Sequence, residues 1–246
     1  MDLRDPGIEG WIETLAAAPG FKALRTLVFT PSEGAVFADG GCDRLLHAAR
    51  AYSLPVFITC PGRVRLLASY AERFPDVQFV IDHCGVVFDA LGGQATIDDA
   101  VARYPNVACK WAHALDFLST TAYPFPDLEP KLRRAVDAFG PERVMWASDY
   151  TMIRRANWGE ALFSIRHSPS LSEDEKAWIP VAWDPPPVGA RPSERTAHSR
   201  DGLRSLHKSN RILKNREVAE ATFLEEPPRC SSRGQAVDLV GRPNVR

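Results

Sequence analysis

The chain has 246 residues, of which 45% are hydrophobic and 25% charged, with a formal net charge of -1. A balance this close to neutral, with no dense Lys/Arg block, leaves no electrostatic footprint for nucleic acid or an anionic membrane, and points to small-molecule chemistry. No apolar stretch approaches the roughly 20 residues that span a bilayer, and the opening Met-Asp-Leu-Arg-Asp-Pro carries no apolar signal region, so a cytoplasmic location is expected. Five cysteines, Cys42, Cys60, Cys84, Cys109 and Cys230, are odd in number and lack Cys-x-x-Cys spacing, the mark of free thiols and not of a disulfide framework or a structural zinc module.

Taken in chain order, strand-like and helix-like segments alternate. Ile8, Ile12 and Leu15 at helical spacing predict a helix over Ile8–Ala18, stopped by Pro19-Gly20. Leu24–Phe29 reads as a strand closed by Thr30-Pro31, Asp43–Tyr52 as a helix, Leu54–Thr59 as a strand and Val64–Phe74 as a helix. Val77–Asp82 is the next strand, followed by a helix over Ile97–Tyr104 and a strand over Val107–Lys110. Leu128–Phe139 is a helix stopped by Gly140-Pro141, Arg143–Ala147 is a strand, and a last helix spans Ser172–Trp178, with Ser172 and Glu175 at capping-box spacing. The strands are continuous apolar runs, as in parallel strands buried on both faces.

After Ile179 the composition turns rich in Pro, Arg, Ser and Glu. Such a segment buries too little apolar surface to offset its ordering entropy. Residues 1–182 are therefore read as one α/β domain and 183–246 as a disordered tail, with a marginal helix at Lys214–Leu224.

Two segments carry chemistry: Val80-Ile81-Asp82-His83-Cys84-Gly85 and Val144-Met145-Trp146-Ala147-Ser148-Asp149-Tyr150. Each sets a metal ligand or proton acceptor where an apolar strand opens into a loop, the place where parallel α/β barrels collect catalytic groups. A neutral His83 imidazole can ligate a metal through one nitrogen. Asp149 can ligate the ion or take a proton from attacking water. The plainer alternatives are a loop-bonded His83 and an Asp149 that caps the following loop.

The ordered phrases Leu54-Pro55-Val56-Phe57-Ile58, Phe74-Pro75-Asp76-Val77 leading into Ile81-Asp82-His83-Cys84-Gly85, Tyr104-Pro105-Asn106-Val107-Ala108-Cys109-Lys110, and Phe139-Gly140-Pro141-Glu142-Arg143-Val144-Met145-Trp146-Ala147-Ser148-Asp149 resemble the amidohydrolase-related family, over roughly residues 20–179. The resemblance implies a partial (β/α)8 TIM barrel, about strands 4 to 8, with His83 after the sixth strand and Asp149 after the eighth. It also implies a divalent metal, zinc above others, held by His83 and Asp149, with Asp149 as the catalytic base. Arg25, at a strand position where the family often has Arg, suits a substrate-binding role toward a carboxylate-bearing small molecule and equally a structural ion pair, and Trp111 and His113 are candidates to line the substrate pocket. Lys110 matches a Lys common in the family and reads as a buried pairing residue. Cys60 lies where many members carry a His, and as an isolated buried Cys it reads as a small hydrophobe.

The family's first strand supplies His-x-His, and no such pair occurs in this chain. With two of the expected ligands in place, metal binding is expected to be weak or absent. The function implied is hydrolysis of an ester, lactone or amide of a small organic acid, impaired by an N-terminal truncation. The alternatives are a nonoxidative decarboxylase and an inactive barrel fragment. About five strands cannot close an eight-stranded barrel, so exposed edges and self-association, as a homo-oligomer or an aggregate, are expected.

Overall fold

A computed structural model of the chain describes residues 3–89, 92–149 and 153–179. In order, α1 (Ile8–Ala16) leads to β1 (Leu24–Leu27), α2 (Pro31–Ala38), α3 (Asp43–Ala51), β2 (Val56–Thr59), α4 (Leu67–Arg73) and β3 (Phe79–Ile81). A short antiparallel hairpin, β4 (Val87–Asp89) and β5 (Gly92–Gln94), precedes α5 (Asp99–Ala102), β6 (Val107–Trp111), α6 (Ala114–Phe117), α7 (Glu129–Phe139), β7 (Val144–Trp146), α8 (Trp158–Arg166) and α9 (Glu173–Trp178). The expectations for the tail, including its disorder, the Lys214–Leu224 helix and Cys230, lie outside the described residues, as does Tyr150.

All five expected strands form one parallel sheet in the order β1-β2-β3-β6-β7. Among the described residues β1 and β7 each have one strand neighbour, so both are edges. Residues of one parity point to the helices. Leu24, Val56, Ile58, Phe79, Ile81, Val107, Cys109, Trp111, Val144 and Trp146 join one large core with Leu45, Leu46, Leu67, Leu132, Val136 and Phe139 from α3, α4 and α7. Fully burying a side chain of this size stabilises by roughly 1.5–3 kcal/mol, so this layer holds the sheet. The opposite face carries a small second cluster of Val80, Ala108 and Met145, with Phe57 packed against it.

The expectation of strands buried on both faces holds for β3 and β7 but not for β1, where Leu24 and Thr26 are buried while Arg25 and Leu27 are exposed. Helix positions follow sequence periodicity where it is strong: α7 buries Leu132, Ala135, Val136 and Phe139 and ends at Gly140, whose φ of 79° suits glycine. The expected capping box of α9 forms, with Glu175 N–H donating to Ser172 Oγ and Ser172 N–H to Glu175. Two further capping boxes, Thr30/Glu33 at α2 and Asn157/Glu160 at α8, start helices that the strand-and-helix reading passes over. There Thr30-Pro31 serves as a helix start, with proline in the first turn, as well as a strand end. No helix among the described residues is long and apolar enough to cross a membrane.

Candidate metal centre

The site is assembled at the C-terminal ends of the adjacent strands β3, β6 and β7. The first residue beyond β3, Asp82, is buried on the inner side and accepts hydrogen bonds from Arg25 Nε at 2.7 Å and Thr59 Oγ1 at 2.9 Å. Lys110 Nζ, on the inner face of β6, stands 3.2 Å from the other oxygen of Asp82 and 3.7 Å from Asp149 Oδ2. Burial raises the Asp82 pKa, but the charges of Lys110 and Arg25 and the Thr59 hydrogen bond outweigh it and hold the carboxyl below its ordinary value.

Beyond Asp82 the chain leaves strand geometry through three successive left-handed residues, His83 (φ 52°), Cys84 (φ 56°) and Gly85 (φ 61°). Strict alternation would send His83 toward the helices. The left-handed turn brings its ring instead to Arg25, whose Nη2 donates to His83 Nε2 at 3.2 Å, and to Asp149, whose Oδ2 lies 3.3 Å from Nδ1. His113 (φ 56°) and Asp149 (φ 48°) are also left-handed. Positive φ is uncommon for residues other than glycine, and such strain gathers at functional sites; here His83, His113 and Asp149 all carry it.

His113 Nε2 lies 3.3 Å from Asp149 Oδ2, and the two imidazoles are tilted with centroids 4.9 Å apart. The ligand atoms of His83, His113 and Asp149 all fall within 4.8 Å of one another. His83 Nδ1 is buried and has no hydrogen-bond partner among the described residues. Burial pushes the His83 imidazole down to about 4, with Asp82 opposing and Lys110 assisting, so the ring is neutral at pH 7. Two imidazoles and a carboxylate are a donor set suited to zinc, and a tetrahedral ion with bonds of about 2.0–2.1 Å separates its ligand atoms by about 3.3 Å. The donors present fit a divalent metal.

The site residues read from the sequence are thus placed as follows. His83 and Asp149 meet, and His113, read there as pocket lining, meets them, so the group holds three potential ligands where the sequence reading counted two. Its signal was position: His83 and His113 each lie two residues beyond the last residue of their strand and Asp149 three beyond. Arg25 reaches the group through Asp82, Thr59 and His83, while its side chain stays half exposed. Trp111 has the opposite parity to Lys110 and packs in the helix-side core, and it lines a small cavity together with His113, Trp146, Leu128 and Ser164. Cys60 also lies in that core, where burial pushes its thiol up to about 12, and it is not among the residues whose ligand atoms gather with His83, His113 and Asp149.

Comparison with known proteins places this geometry in context. Residues 2–181 match the model of the amidohydrolase family. The chain is 31% identical over 163 residues to an L-fucono-1,5-lactonase of Burkholderia ambifaria, an alignment covering 63% of this chain and 55% of the lactonase, so the chain spans about half the length of that relative. An amidohydrolase from Burkholderia multivorans, 21% identical, superposes with a TM-score of 0.60 in a crystal form with bound HEPES and 0.58 in one with bound zinc. Each superposition covers 73% of this chain and 68% of that chain, and shows the shared fold.

Proposed function

Starting from the fact that this chain belongs to the amidohydrolase family, we propose that it binds one divalent metal, zinc by preference, through His83, His113 and Asp149 and uses the site to hydrolyse a lactone of a small organic acid. The observation that carries the reading is the meeting of His83 Nδ1 and His113 Nε2 on Asp149 Oδ2, each at 3.3 Å. The lactonase relative supports the substrate class, and the zinc found in the Burkholderia multivorans amidohydrolase supports the choice of metal.

When bound, the ion would supply Lewis-acid polarisation of the carbonyl and a lowered pKa for water. The residues do the rest. Asp149 takes the proton from the water that attacks the carbonyl carbon. As the ring C–O bond breaks, it returns that proton to the departing alkoxide, giving the open hydroxy acid. Lys110 Nζ sets a positive charge 3.7 Å from that carboxylate, and the half-exposed Arg25 guanidinium offers donors to the oxygens of an anionic or hydroxylated substrate.

The test is zinc titration of the full chain against a chromophoric chelator, together with pH-indicator assays on five- and six-membered sugar lactones and carbon dioxide release from aromatic acids. The expected outcome is one zinc per chain, lost on double substitution of His83 and His113 by Ala, with lactone opening. Asp149→Asn should slow that opening by about a hundredfold or more. Zinc binding indifferent to both histidines would overturn the metal reading, and carbon dioxide release without lactone opening would replace the hydrolase by a decarboxylase.

A further inference from the structure

Asp116 lies in the first turn of α6, three residues after His113, with its side chain only 9% exposed. Its two oxygens are used differently. Oδ1 accepts from the backbone N–H of Arg154 at 3.2 Å and of Arg155 at 3.3 Å. Oδ2 is buried with no hydrogen-bond partner among the described residues, and the nearest ring nitrogen, His113 Nδ1 at 3.9 Å, is buried and unpartnered as well. Leaving a buried polar group unsatisfied costs about 1–3 kcal/mol. These two orphans face each other, and closing their separation by about 1 Å satisfies both at ordinary hydrogen-bond length.

We infer that Asp116 is the positioning residue of the metal centre: by accepting a hydrogen bond from Nδ1–H of His113, it fixes the ring in the tautomer that presents a bare Nε2 to the ion, an inference that rests on the metal-site reading above. Nε2 is the nitrogen that faces Asp149. A carboxylate behind a ligating histidine sets both tautomer and aim, and its loss typically weakens metal binding 10–100-fold. Phe117, stacked on His113 with centroids 4.7 Å apart, fixes the ring plane. Through Oδ1 the same carboxylate ties the backbone at Arg154 and Arg155 to the first turn of α6.

The deciding substitution is Asp116→Asn. Its single oxygen is claimed by the Arg154 and Arg155 N–H groups, which turns the side-chain NH2 toward His113 Nδ1. A donor there demands a lone pair on Nδ1 and moves the ring proton to Nε2, while volume and loop anchorage are kept. Long-range 1H–15N correlation of the full, metal-free chain labelled with 15N-histidine reads the tautomer directly, with the His113 signals assigned by their absence in His113→Gln. The expected result is Nδ1–H in the wild type, Nε2–H in Asp116→Asn, and a zinc affinity at least tenfold weaker in the variant. A wild-type His113 protonated at Nε2 alone overturns the inference without any variant, as does a tautomer unchanged by Asp116→Asn. A chain that binds no zinc but shows the tautomer reversal refutes the metal reading and leaves Asp116 as the residue that orients His113. Zinc bound with equal affinity by both chains refutes the role of Asp116 and leaves the metal reading standing.

Discussion

Arg25 Nη2 donates to His83 Nε2 at 3.2 Å. A guanidinium has donors only, so Nε2 must present its lone pair, and the proton of the neutral ring sits on Nδ1, the atom beside Asp149. An ion that takes Nδ1 displaces that proton to Nε2, where it opposes the Arg25 N–H. Arg25 and the metal therefore compete for opposite tautomers of the same ring, and both carry positive charge.

Replacing the competitor should strengthen the site. Arg25→Met is expected to tighten zinc binding about tenfold, close to 1.4 kcal/mol at this conversion, because both the opposed N–H and the like charge are removed. Asp82 keeps Thr59 and Lys110 in the variant. Calorimetric titration of both chains measures the change, and equal or weaker affinity in Arg25→Met would show that Arg25 does not oppose the ion.

Gly85 closes the left-handed turn that aims His83. A Cβ there would lie 2.6 Å from Val64 Cγ2 and 3.1 Å from Thr96 O at a φ of 61°. Gly62 has a similar φ of 70°, but a Cβ there would meet only Val87 Cγ2, at 3.6 Å. Gly62→Ala should cost about 1 kcal/mol, the left-handed penalty alone. Gly85→Ala should cost at least about 2 kcal/mol, since the clash adds to that penalty, and should weaken zinc binding by moving His83. Urea unfolding of the two variants checks the ranking, and equal losses would refute it.

Asp127 organises the loop before α7. It accepts from Thr120 N–H at 2.6 Å, from the hydroxyls of Ser119 and Thr121 at 2.7 Å each, and from the Thr120 hydroxyl at 3.1 Å. Burial works to raise its pKa, but these donors overcome it and hold the carboxyl well below the usual carboxylate range. A depressed folded-state pKa contributes stability that is fully present above the unfolded value, about 3.9, and fades as pH falls toward the folded one. Asp127→Ala should therefore cost about 2 kcal/mol at pH 7, with the gap to the wild type narrowing below about pH 4. Thermal melts across pH give the comparison, and a gap that is constant with pH would mean that the charge plays no part.

Asn106 is a buried staple between α4 and β3. Its Nδ2 lies 3.1 Å from the carbonyl oxygens of Ala71, Phe74 and Val77. Asn106→Leu keeps the volume but strands those carbonyls, and should lower stability by about 2–3 kcal/mol without moving zinc affinity more than about twofold, since Asn106 sits before β6, at the opposite end from the ligands. Denaturant midpoints and chelator titration measure the two effects, and a large change in zinc affinity would show that the two ends of the sheet are coupled.

The strands were legible because their apolar runs must be buried, and His83 and Asp149 were legible because each follows such a run within a motif. The family phrases extended that reading to the parallel α/β architecture. Helices α2 and α8 left a signal in their capping boxes, Thr30/Glu33 and Asn157/Glu160, although Thr30-Pro31 also fits a strand end. What the sequence by itself determined was thus the order of buried segments and two of the three potential ligands. The third, His113, was decided by tertiary structure. Alternation along a strand assigns faces only while the backbone stays extended, and at His83, His113 and Asp149 it turns left-handed. Which side chains then meet depends on β3, β6 and β7 lying side by side, a neighbourhood fixed by packing between residues far apart in the chain.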